Sequence, residues 1–550
     1  MKSAKGHYTV LRSLVISALL GSLFLHIAGA SCLSCHGEHA LLTDDIHRFL
    51  GDTCGSCHLG DDAATDVDAA HQGLISSPGQ LNNVEHSCAT CHPIETDAVL
   101  NGLMHTGRGV VNVTRFTFAE QEEPTGEGHL TRLGHSPADS LLRKRCASCH
   151  LGQPRHQLGT EHPIGSRGGG CLACHLPVEQ PSGHVALSAR ISDAQCIGCH
   201  SRSGRIALSY TGLAEVDDAA LQHGDTGRLG RLPDGRLVER LPADAHHRAG
   251  MSCIDCHTAR GLMGPTADHL HGSDAVDVQC QDCHANTEPR VTPKDWLPRW
   301  QSLRNRIPFP VTRDQAFLVT ERNQTPLWHI QVTPTANLLH RKVQGGSIRI
   351  PPLSERNHPA DGNHDRLECT ACHTQWAPQC YGCHMQFDPD GEQWDHADRE
   401  FTRGAWIDQR WGIRNDQPPL GVDAHDRIVP FVPGMIRSID HPDWGETRFR
   451  RLFAPLAPHT TGTGLTCAAC HRSPQALGLG AGTLIEDSEG LRFEPARPLL
   501  RDDMPEDAFV TLDGREGETT RSGARGFTAD ELRRILEAPL APHFRRGIAY

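Results

Sequence analysis

Apolar positions are spread very unevenly along this chain. Leu14 to Ile27 is a nearly unbroken apolar run, preceded by Lys2, Lys5 and Arg12 and followed by the small residues Ala28, Gly29 and Ala30. The run is short of the roughly 20 residues that a membrane crossing needs, so residues 1–30 read as a cleavable signal peptide. From residue 31 to 284 sustained periodicity is missing. Stretches such as Leu151 to Gly170 are rich in Gly, Pro and His, which predicts short helices and loops.

Beyond residue 285 alternation sets in. Trp328 to Thr333 alternates apolar with polar residues and predicts a strand, joined as a hairpin to Ala316 to Thr320 across the turn-like Glu321 to Pro326. Ser347 to Ile350, Trp406 to Arg414 and Arg427 to Val432 predict further strands. Near the end, Thr528-x-x-Glu531 forms a capping box, Phe527 can staple onto Leu532, and Leu532, Ile535 and Leu536 share one face before Pro539, which predicts a terminal helix.

Composition changes this picture. The 550 residues include 22 Cys and 37 His but only 15 Phe, 8 Trp and 4 Tyr, so a conventional aromatic core is scarce. Every cysteine belongs to a C-x-x-C pair, and every pair is followed directly by His. The pairs are Cys32 and Cys35, Cys54 and Cys57, Cys88 and Cys91, Cys146 and Cys149, Cys171 and Cys174, Cys196 and Cys199, Cys253 and Cys256, Cys280 and Cys283, Cys369 and Cys372, Cys380 and Cys383, and Cys467 and Cys470. Disulfide and zinc schemes require no His at that position.

C-x-x-C-H is the attachment sequence for c-type haem: two thioethers tie the cysteines to the porphyrin edge and the adjacent His offers iron a nitrogen. Through these eleven motifs, from residue 32 to 471, the chain resembles the multihaem cytochromes c. The resemblance implies eleven covalent haems c with His36, His58, His92, His150, His175, His200, His257, His284, His373, His384 and His471 as proximal ligands. Outside the motifs and the signal there remain 24 His but only six Met, so a second His is the expected sixth ligand. The habit of the family favours His47, His71, His86, His105, His135, His162, His184, His247, His271, His364, His396 and His459. Met104, Met251, Met263 and Met385 also lie near motifs, where a Met ligand would raise a haem's potential.

Motif density divides the chain into an eight-haem region at 31–284 and a three-haem region at 285–550. The expected fold is mainly short α-helices and loops wrapped around covalent haems, with a small β-rich insert in the C-terminal half. The Cys369 and Cys380 motifs are separated by six residues, a span that makes their haems neighbours. Gly168, Gly169 and Gly170 are expected to let the backbone pass close to a haem face. Gly478, Gly480 and Gly482 lack the strand and lysine of a phosphate loop.

Removing the signal leaves 50 basic against 66 acidic residues, which excludes nucleic acid as a partner. The expected function is electron carriage across the periplasm or to extracellular acceptors of a Gram-negative-type cell, through closely spaced haems ligated mostly by two His. Expected partners are an inner-membrane quinol oxidase module and other cytochromes or an outer-membrane conduit. The alternative is a multihaem oxidoreductase that reduces a small nitrogen or sulfur compound at one open haem. Against it, no C-x-x-C-K occurs, and Tyr210, Tyr381 and Tyr550 are the only tyrosines left after signal removal. A polymerised filament is a third class on which the residues are silent.

Overall fold

The computed structural model describes residues 32–540, apart from 38–46, 51–52, 156–166, 178–186, 203, 219, 224–225, 265–268, 286–289, 293–306, 313, 354–361, 435–437 and 489. The segment 1–30 expected to be a signal peptide, His162 and His184 lie outside the described residues.

Ten of the eleven motifs sit on short helical turns, among them Cys32–His36, Asp193–His200, Cys280–His284, Cys369–His373 and Cys467–His471. Local chemistry starts several of these turns. The Ser252 amide donates to Asp255 at 2.8 Å and the Gln279 amide to Asp282 at 2.7 Å, each acid lying between the two cysteines of its motif; Thr466 accepts from the Ala469 amide at 3.1 Å. On a helical turn, residues three apart share a face, so the two thiols of one motif point the same way.

Short helices and loops are nevertheless not the dominant architecture, and the expected small β-rich insert is an underestimate. Six sheets are present among the described residues. One of them, formed by Leu213–Glu215, Leu229–Arg231 and Leu237–Arg240, interrupts the motif-dense N-terminal part. The C-terminal half is built around a hairpin of Ala377–Asp395 and Glu400–Asp416, extended by Ser438–Asp440 and Arg448–Phe449 into a four-stranded sheet. A second four-stranded sheet encloses a core of Phe431, Phe453, Phe509 and Leu532. Scarce aromatics are thus concentrated where the motifs are sparse.

The strand at Ser347–Ile350 falls where alternation placed it, and the terminal helix, Ala529–Glu537, begins at the Thr528 capping box with Phe527 and Leu532 in one cluster. The hairpin around Glu321 is corrected. The chain does reverse there, with a bridge between Val319 and Pro326, but Ile330–Val332 pairs with Asn337–His340, and Phe317–Leu318 pairs with Arg290–Val291. The three glycines at 168–170, all with positive φ, pass close to the chain itself: a Cβ on Gly170 would stand 2.4 Å from the Gly79 carbonyl oxygen.

Three consecutive cations preceding Cys146 fasten the long hairpin to the motif-bearing part. Arg143 pairs with the buried Asp395 at 2.8 Å and also with Asp398. Lys144 donates to the carbonyls of Thr402, Arg403 and Gly404 at the hairpin's bulge, and Arg145 pairs with Asp408 at 2.8 Å. No helix among the described residues is long and apolar enough to cross a membrane.

Candidate functional site

Five motif histidines are oriented through Nδ1 by hydrogen bonds to other segments, whereas His150 donates from Nε2 to the His105 carbonyl at 2.6 Å. His58 Nδ1 donates to the Ile75 carbonyl at 2.8 Å, His175 to Ser188 at 3.0 Å, His284 to Pro351 at 2.8 Å, His373 to Gly462 at 2.9 Å and His471 to Ile535 at 2.7 Å. A carbonyl oxygen only accepts, so each Nδ1 carries the hydrogen and the lone pair of the neutral ring sits on Nε2. This is the tautomer that metal-bound histidines use, held by the same kind of outer partner.

Five of these or other motif histidines face a histidine from outside the motifs. Ring centres are 6.0 Å apart for His36 and His71, 6.3 Å for His92 and His47, 6.2 Å for His257 and His459, 6.1 Å for His284 and His246, and 6.1 Å for His471 and His364. A metal–imidazole nitrogen bond is about 2 Å long; two in line, with about 1 Å from each nitrogen to its ring centre, put the rings about 6 Å apart. All five separations match one ion held between two imidazoles. His105 and His150 form a tighter, stacked pair at 5.2 Å. Burial pushes His257 and His150 down to about 4 and lowers His459, so the rings are neutral near pH 7, the state that ligates.

His47, His71, His105, His364 and His459 are therefore brought to motif histidines. His364 reaches the last motif, not the Cys369 motif five residues after it. His86 and His135 are exposed, His271 is buried with its pKa pushed down to about 4, His247 packs on the Tyr210 ring at 5.1 Å, and His396 sits at the turn of the long hairpin. Met251 and Met385 are core residues. Sequence reasoning missed His246, whose Nδ1 bonds the buried Asp244 carboxylate at 2.9 Å. The signal was Asp244 two positions earlier, which selects His246 over its neighbour His247.

The thiols also connect motif to motif. The thiols of Cys32 and Cys54, Cys88 and Cys171, Cys149 and Cys199, Cys196 and Cys253, and Cys280 and Cys369 are close enough to shift each other's titration. Cys174 feels the charge of Cys196, Cys283 that of Cys256, and Cys470 that of Cys372. Cys32, Cys54 and Asp62 also place their donor atoms within 4.8 Å of one another. These proximities link the motifs on helical turns from Cys88 to Cys470 to one another, and His47, which lies between the first two motifs in sequence, stands against His92 of the third.

No family model matches the chain, and no match was found among characterised proteins or among solved structures.

The Cys380 motif differs from the rest. It lies inside a 19-residue strand, and His384 shares a hydrogen bond with Ser438 Oγ through Nδ1 at 2.9 Å and has its Nε2 3.2 Å from an Asp440 carboxylate oxygen. Beside it is a cavity of about 260 Å³ lined by Tyr381, His384, Trp411, Phe449, Arg501 and Glu506, among others.

Proposed function

We propose that this chain is an exported multihaem c-type cytochrome that carries electrons, its cysteines binding haem covalently and its histidine pairs ligating iron. The observation that carries this reading is the set of five histidine pairs at 6.0–6.3 Å, each joining one motif histidine to one from elsewhere in the sequence. Haem bound in this way supplies reversible one-electron transfer.

The chain's own residues do the rest. At five motif histidines backbone carbonyls hold Nδ1–H and leave Nε2 for the metal, a contact that also raises ligand basicity. Helical turns set both thiols of a motif on one side. The contacts from motif to motif keep successive cofactor sites close, which electron tunnelling requires. A protein ligand on both sides of a site leaves no position for substrate, so the pairs favour carriage over catalysis. Export through the Leu14 to Ile27 segment, a quinol-oxidising donor module and an acceptor at or beyond the outer membrane complete the reading.

The test is ferric-state electron paramagnetic resonance with a spin count, together with the intact mass of denatured protein from a host with cytochrome c maturation. Covalent haems in a low-spin ferric state, barely perturbed by carbon monoxide after reduction, are the expected result. A mass without haem and with several disulfides would overturn it.

A further inference from the structure

We infer that the tenth motif, Cys380 to His384, carries no haem, so that the mature chain holds ten covalent haems and uses these five residues as sheet core and cavity wall. This rests on the reading above and refines its stoichiometry. The first argument is the backbone. Cys380 is in register with Ile413, Gly382 with Trp411, Cys383 with Arg410 and His384 with Gln409, while on the other edge His384 pairs with Ser438 and Met385 with Ile439. The motif is in the middle of a sheet, and a helical turn here would break ladders on both sides.

The second argument is direction. Residues three apart on a strand point to opposite faces. Cys383 packs with Met385, Trp406, Ile439, Phe118 and Leu141 in an apolar cluster. His384 instead lines the cavity with Trp411, whose indole lies over Gly382 so closely that a Cβ there would stand 2.1 Å from Nε1. Cys380 shares the parity of Gly382 and His384. Two thioethers to the edge of one porphyrin need both sulfurs on one side, and these are on two.

The third argument is the imidazole. Nε2 of His384, the nitrogen left for a metal at His58, His175, His284, His373 and His471, stands 3.2 Å from an Asp440 carboxylate oxygen, and Nδ1 lies 2.9 Å from the Ser438 hydroxyl, where those five histidines meet a backbone carbonyl. Among the described residues no histidine ring stands against His384. The 260 Å³ cavity is also below the range of about 300–1,000 Å³ that drug-sized ligands occupy, and haem is no smaller than those.

The experiment is intact mass and peptide mapping of the full-length protein, produced with cytochrome c maturation, denatured, reduced and alkylated with iodoacetamide. Ten haems and two alkylated cysteines, mapped to Cys380 and Cys383, are expected. Haem on the peptide containing 380–384 would overturn the inference and leave the cytochrome reading intact; a chain without any haem would overturn both. As a second measurement, Cys380→Ser with Cys383→Ser is expected to keep the parent's haem count, whereas Cys369→Ser with Cys372→Ser loses one haem. Loss of one haem from the Cys380 and Cys383 variant as well would sink the proposal.

Discussion

Cys369–His373 and Cys380–His384 are the same pattern written twice with six residues between, yet the first is a helical turn and the second a length of strand. The difference lies around the motif. Glu368 precedes the first as its N-cap, and its histidine is taken by the Gly462 carbonyl. Around the second, Tyr381, Cys383, Met385 and Phe387 alternate with Gly382, His384 and Gln386, a period of two that a sheet can bury on one face. Five residues therefore specify a chemistry only where the flanking pattern lets them take the required backbone, and tertiary pairing settles the matter.

The largest effect on this comparison is expected where the strand-borne region is fastened to the helical one. Arg143→Ala removes the partner of Asp395, which is 3% exposed, and leaves a buried carboxylate uncompensated. Breaking a buried pair from one side costs about 3–5 kcal/mol. Thermal unfolding followed by circular dichroism should show the lowered midpoint. An unchanged midpoint would mean that the hairpin does not depend on this contact.

Gly382→Ala tests the two backbones by sign. The corresponding position of the first motif is already alanine, Ala371, buried in its helical turn. If the second motif were such a turn, Gly→Ala would stabilise it by up to about 1 kcal/mol. In the strand, the new methyl meets the Trp411 indole, and overpacking of this kind costs about 1–3 kcal/mol. Denaturant titration of parent and variant reads the sign directly.

That period-two alternation was legible, and the recurrence of C-x-x-C-H obscured it. Elements whose signals are local were legible for the same reason: the Thr528 cap and its apolar face define the terminal helix, and Ser347 to Ile350 reads as the strand it is. Pairing over distance was not. Nothing local joins Ile330 to Leu339 in preference to Phe317, or sends His364 past the adjacent motif to His471, because both outcomes depend on which segments fold against each other. The histidine pairs were legible only as a surplus of histidines, and the fold selects among them.

A smaller and purely spectroscopic effect separates His246 from His384. His246→Ala removes the ring opposite His284 and should open one iron, giving a high-spin ferric signal and one carbon monoxide site that the parent lacks. His384→Ala should leave the haem spectrum unchanged and remove only the contacts with Ser438 and Asp440. A new high-spin signal in the second variant would place His384 among the iron ligands and erase the contrast between the two motifs.

The smallest effect is expected at the terminal helix, which reaches the last helical motif through the bond from His471 to the Ile535 carbonyl. Burial alone would raise the Glu531 carboxyl, but hydrogen bonds from Arg525, the Thr528 amide and Arg366 outweigh it and hold the group down at about 2, from an ordinary 4.5. A depressed carboxyl contributes its stability in full above 4.5 and loses it as the pH falls toward 2. The helix should therefore loosen within that window, before the sheet-borne His384 region, which lacks this contact. Thr528→Ala deletes the cap to the Glu531 amide at 3.2 Å and should cost about 1 kcal/mol at neutral pH. If the helix is what orients His471, hydrogen exchange at Ile535 and the potential of one haem should shift together in this variant. Exchange that rises while every potential stays fixed would show that His471 keeps its orientation without the helix.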